Sequence, residues 1–93
     1  MTREQKIELC EIYNNSDIEC FNYMRQFCNK EQAELLDRLV KLNMETTIGW
    51  GDEPGTPEEF EEYYNGKWEL LSSFGVEIEN IMGDAHFEGE FYQ

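Results

Sequence analysis

Positive charge is what this chain has least of. Seven Lys and Arg stand against 21 Asp and Glu in 93 residues, a formal net charge of −14. Binding to nucleic acid rests on Lys and Arg neutralising phosphates, and anionic lipid surfaces attract basic segments. Neither is expected as a direct partner. No apolar run approaches the roughly 18 residues that a membrane span needs, and no basic-then-apolar leader opens the chain. The three cysteines, Cys10, Cys20 and Cys28, are an odd number and make a poor disulfide framework. Together these point to a soluble protein of a reducing cytoplasm.

What is present is acid, and it is unevenly placed. The stretch from Trp50 to Gln93 holds Asp52, Glu53, Glu58, Glu59, Glu61, Glu62, Glu69, Glu77, Glu79, Asp84, Glu88 and Glu90 against the single base Lys67, a net −11; the first 49 residues net only −3. The same stretch carries Trp50, Phe60, Tyr63, Tyr64, Trp68, Phe74, Phe87, Phe91 and Tyr92. Disordered acidic tails are poor in aromatics, so a folded acidic surface is expected. A large net charge destabilises the compact state by self-repulsion, and an excess of this size calls for a functional reason.

The length sets one domain with a modest core, in which about 60–65% of the unfolded chain's surface is buried. The pattern is mainly α: a small bundle of four to five helices, ending in a short β-hairpin or an extended tail. Residues 1–45 read as a three-helix unit, 46–56 as a Gly/Pro loop and 57–93 as an acidic helical segment and tail. The first helix runs from Thr2 to about Asn14, with Thr2 and Gln5 as a capping box. Ser16 and Glu19 suggest a second box opening a helix to about Cys28, and Asn29 caps a third from Lys30 to about Met44. On the third, Glu34/Arg38 and Asp37/Lys41 have the favourable i,i+4 order.

Thr56-Pro57-Glu58-Glu59 is the strongest local signal, joining an N-cap hydroxyl, a proline at the first helical position and a glutamate at the third. That helix is expected to stop at Gly66. At 100° per residue Phe60, Tyr63 and Tyr64 share one arc, and Glu58, Glu61 and Glu62 the opposite one, with Glu59 at the border. A further helix is expected from Lys67 to about Ser73. For Val76 to Met82 helix is favoured over strand, because a hairpin turning at Gly83-Asp84 would set Glu79 against Glu88 and Glu77 against Glu90.

Catalytic and metal motifs do not assemble. Cys20 and Cys28 lie about 12 Å apart along one helix by its rise per residue, too far to share a zinc ion. A calcium loop begun at Asp52 fails at Pro54, Pro57 and Tyr63. No phosphate loop or nucleophile elbow is present, and His86 stands alone. A protein without cofactor, metal or enzymatic activity is expected.

In size and charge layout the chain resembles the small acidic DNA-mimic inhibitors of phages and mobile elements, of the anti-CRISPR or anti-restriction class. Glutamates at i,i+3 and i,i+4 repeat every ~4.5 or ~6 Å along a helix, against one phosphate per ~3.4 Å on each DNA strand. The resemblance implies a monomer or homodimer that acts in a host cytoplasm and occupies the basic groove of a nucleic-acid-binding enzyme. The twelve carboxylates of residues 50–93, with Trp50, are then the contact set. The alternative is an interaction module anchored by Trp50, Phe74, Phe87 and Phe91, with the acids as a rim.

Overall fold

The computed structural model describes residues 1–78 and 85–87. Four helices, α1 (Arg3–Tyr13), α2 (Asp17–Arg25), α3 (Lys30–Glu45) and α4 (Pro57–Ser73), lead into β1 (Val76–Ile78) and β2 (Ala85–Phe87), which pair antiparallel. The mainly helical fold expected from the pattern is the observed one. Each helix packs on the next, α1 on α2, α2 on α3 and α3 on α4. The hairpin closes the circuit, with β1 against α4 and β2 against α1.

Every helix start has the predicted cap. Thr2, Asn29 and Thr56 form reciprocal capping boxes with Gln5, Gln32 and Glu59. At α2 only half of the expected box exists: Ser16 accepts from the Glu19 amide at 3.4 Å. One core unites the elements, built on Leu9, Cys10, Cys20, Phe21, Met24, Leu36, Leu39, Leu42, Tyr63, Leu70, Leu71 and Val76.

Three expectations need correction. First, Gly66 does not end a helix. α4 runs straight through it, and a Cβ there would lie 2.8 Å from Leu39 Cδ2 and 3.2 Å from Leu35 Cδ1. At Gly66 the α4 backbone packs directly on Leu35 and Leu39 of α3 with no room for a side chain, which explains a helix-breaking residue in a helix interior. The stop falls nine residues later, at Gly75 (φ 80°), whose amide donates to the Ser72 carbonyl at 2.9 Å.

Second, residues 76–78 are strand, not helix. The pairing is Val76↔Phe87, Glu77↔His86 and Ile78↔Ala85. This register sets Glu77 against a histidine instead of a carboxylate, so the repulsion expected at Glu77 does not arise; Glu79 and its expected partner lie outside the described residues. Val76 and Ala85 are buried beneath the hairpin. The expected Gly83-Asp84 turn and the tail beyond 87 lie outside the described residues.

Third, the i,i+4 ion pairs on α3 give way to tertiary ones. Arg38 grips Glu62 of α4 with Nε and Nη2, at 2.6 and 3.0 Å, and Asp37 takes Arg25 of α2 at 2.6 Å. A partner held across a helix interface is already ordered by packing and outcompetes a flexible neighbour on the same helix.

Two expected outcomes follow from this packing. Gly66→Leu forces a side chain into the α3–α4 contact and costs about 1–3 kcal/mol, readable as a lowered urea midpoint. Burial, joined at Cys20 by the nearby Asp17 carboxylate, pushes the thiols of Cys10 and Cys20 up to about 11 and about 12 from an ordinary 9.0. The folded chain therefore holds protons that the unfolded chain releases above pH 9. Stability is full below that pH and falls as pH rises toward 11–12, by up to about 1.4 kcal/mol per pH unit for each thiol. Denaturation midpoints across that window should decline, and decline less in Cys20→Ala.

Candidate functional site: the acidic and aromatic face of helix α4 and the 46–55 loop

The loop before α4 is ordered by its own backbone. Thr47 N–H donates to Glu53 O (2.8 Å), Trp50 N–H to Asn43 O (2.8 Å), Gly51 N–H to Thr46 O (2.9 Å) and Glu53 N–H to Glu45 O (3.2 Å). Gly51 lies so close to the end of α3 that a Cβ would overlap the Glu45 carbonyl carbon. This fixed loop holds Trp50 out in solvent, 79% exposed. Met44, Glu45, Trp50, Gly51, Asp52 and Glu53 line an open depression of about 510 Å³. A Cβ on Gly55 would lie 3.1 Å from both Ile48 Cγ1 and Phe60 Cε2, so the loop comes close to the first turn of α4 at this glycine.

On α4 the expected division of faces holds only in part. Tyr63 is buried, but Phe60, Tyr64 and Trp68 are 36%, 53% and 44% exposed. At 100° per residue they sit at 0°, 40° and 80° with Phe60 as origin, between the core and the carboxylates. The helix thus has three strips: a buried one, an aromatic one at the surface, and an acidic one with Glu58, Glu61, Glu62 and Glu69.

The acids do not all serve one surface. Glu59 turns back on its own helix start, where its Oε1 accepts from Thr56 N–H at 3.0 Å. Glu62 is held by Arg38, whose hydrogen bonds keep that carboxyl below the usual carboxylate range. Glu77 faces His86 at 3.5 Å on the hairpin. Glu69 borders a separate depression of about 250 Å³ between α3 and α4, with Glu31. Asp52, Glu53, Glu58 and Glu61 are exposed, with no ion pair among the described residues; Asp52 and Glu53 line the loop depression with Glu45, and Glu58 and Glu61 lie on the first turns of α4. Glu79, Asp84, Glu88 and Glu90 lie outside the described residues, as does Phe91. Phe74, an expected anchor, is buried in the core at 9% exposure.

The pattern alone does not reveal what holds this face in place. Lys67, the only base of the acidic stretch, is 6% exposed. Its Nζ donates to Asp17 Oδ2 at 3.2 Å and lies 5.1, 5.4 and 5.1 Å from the ring centroids of Tyr13, Tyr63 and Tyr64. The Tyr63 hydroxyl donates to the same Asp17 oxygen at 2.7 Å and accepts from Asn43 Nδ2 at 3.0 Å. Burial first, and the Asp17 carboxylate with it, raises the Tyr63 hydroxyl far above its ordinary pKa, so it serves as a donor at any physiological pH. The one available signal was a lone base within a tyrosine-rich helix turn.

Among the described residues no group of three or more His, Cys, Asp or Glu could hold a metal ion, and no helix is long and apolar enough to cross a membrane. No protein-family model, curated protein or solved structure matches the chain, so the functional reading rests on the chemistry of this face.

Tyr63→Phe should cost about 1–3 kcal/mol. Asn43 Oδ1 already has no partner among the described residues, and the substitution orphans its amide nitrogen as well. Urea denaturation of the variant measures that loss.

Proposed function

We propose that this protein is a non-catalytic binding protein whose partner is a basic surface of the kind that ordinarily holds nucleic acid, and that it acts by occupying that surface. The observation that carries the reading is a set of exposed carboxylates with no ion pair among the described residues, Glu45, Asp52 and Glu53 at the loop depression and Glu58 and Glu61 on the first turns of α4, on backbone fixed by a capping box and a hydrogen-bonded loop. Fixed charge requires no ordering on contact, which separates it from a flexible polyanion. Such a field attracts a cationic groove at long range and speeds encounter. An inhibitor of a DNA- or RNA-binding enzyme, the anti-CRISPR class included, is the specific form of this proposal. The carboxylates of Glu59 and Glu62 drop out of the contact set, since capping and Arg38 engage them.

The second reading, an aromatic-anchored interaction module with an acidic rim, is favoured by the exposure of Trp50, Phe60, Tyr64 and Trp68. Its anchors differ from those expected, because Phe74 is in the core.

Immobilised protein should retain its partner from a host lysate at low salt and release it to a duplex DNA oligonucleotide. Retention should fall steeply toward 0.15 M salt, where screening acts over about 8 Å. The variant Asp52→Lys/Glu58→Lys/Glu61→Lys should lose about a hundredfold or more in affinity. A partner that resists the oligonucleotide and binds this variant undiminished would overturn the mimicry reading and leave the aromatic one.

A further inference from the structure

Phe60, Tyr64 and Trp68 recur every four residues and make a stripe about 12 Å long on the outside of α4. Scattered exposed rings are ordinary, but a contiguous apolar strip marks an interaction site. Two of the three rings are oriented on each other. Phe60 and Tyr64 lie nearly parallel, with centroids 6.4 Å apart and planes at 21°, and Tyr63 meets Tyr64 edge-on at 5.6 Å. Glu61 lies three residues before Tyr64 and seven before Trp68, next to the stripe on the helix surface, with Glu58 one turn earlier.

Resting on the reading above that the partner is cationic, we propose that this stripe is a docking face for an arginine-rich segment of the partner protein. Guanidinium groups lie flat on Tyr64 and Trp68; the one on Tyr64 donates its edge N–H groups to Glu61, one turn away, and Glu58 adds to the negative field. The charge of the flanking acids selects a cation, and the rings select which cation. Guanidinium is planar, weakly hydrated and able to stack while still presenting donors in its plane; the ammonium of lysine is compact and strongly hydrated. α4 already contains one contact of this kind, since Lys67 Nζ stands 5.1 Å from the Tyr64 ring centroid. A second copy of this chain is disfavoured as the occupant, because each copy carries −14. A wholly apolar partner would leave Glu61 and Glu58 facing uncharged surface.

The test titrates the full chain with an oligoarginine and an oligolysine peptide of equal length at low salt, where charge attraction is least screened, following tryptophan fluorescence and heat. The proposal expects the arginine peptide to bind about fivefold or more tightly. Trp68→Ala should lower its affinity about three- to tenfold and leave the lysine peptide unchanged, while Trp68→Phe keeps most of the preference. Glu58→Gln/Glu61→Gln should weaken both peptides alike. Equal affinity for the two peptides in the unmodified chain overturns the docking of arginine on the rings and leaves the charge reading standing; this comparison depends on no variant folding. An arginine preference that survives Trp68→Ala undiminished also overturns it. Failure of both peptides to bind overturns this proposal and the charge reading together.

Discussion

The Lys67 ammonium is the hub of the structure. It comes from α4, meets Asp17 at the start of α2 and stands over Tyr13 at the end of α1. Through Tyr63 and Asn43 the same network reaches α3. All four helices therefore meet at one buried charge. A buried ammonium is costly unless it is paired and surrounded by favourable dipoles. Here one carboxylate and three ring faces perform that role, and the geometry they require fixes the rotation of α4 about its axis. Asp17 is well placed for it, since a carboxylate in the first turn of α2 is also favoured by that helix's dipole.

That rotation decides which side chains reach solvent. With Tyr63 and Lys67 turned inward, Tyr64 and Trp68 fall about 100° and 140° round the wheel from Tyr63, past the edge of the buried arc, and Phe60 lies at its border with 36% exposure. The aromatic strip is thus a consequence of the buried cation. So is the negative field: the one base among the last 44 residues neutralises Asp17 of the first half and is withdrawn from the surface it would otherwise temper. Arg25 and Arg38 are likewise held in interhelical pairs.

Local signals were legible from sequence, and signals needing a partner were not. Thr2, Ser16, Asn29 and Thr56 cap helices because capping depends on residues within four positions. Gly66 reads as a stop by propensity, but its role depends on Leu35 and Leu39 of another helix, which no local window contains. The hairpin was argued away on an assumed register; the observed one sets Glu77 against His86 and removes the objection at that position. At the site, the exposure of Trp50, Asp52, Glu53, Glu58 and Glu61 agreed with the pattern. The loss of Glu59 to a cap could have been anticipated, since the Thr56/Glu59 motif was recognised. The loss of Glu62 to Arg38, the burial of Phe74 and the burial of Lys67 are tertiary facts.

The arrangement bears on why so acidic a chain stays folded. Carboxylates crowded on a helix surface repel one another by a few tenths of a kcal/mol per close pair, and α4 carries Glu58, Glu61 and Glu62 within five residues. Stability alone would favour bases on that helix, where they would pair with these acids. The single base is used inside instead, where its contribution depends on α1, α2 and α3 being in place. Cohesion is concentrated in the interior and like charge is left at the surface. Such a division suits the proposed binding of a cationic partner, because among the described residues Glu45, Asp52, Glu53, Glu58 and Glu61 form no ion pair that the partner would have to break, whereas Glu62 is held by Arg38.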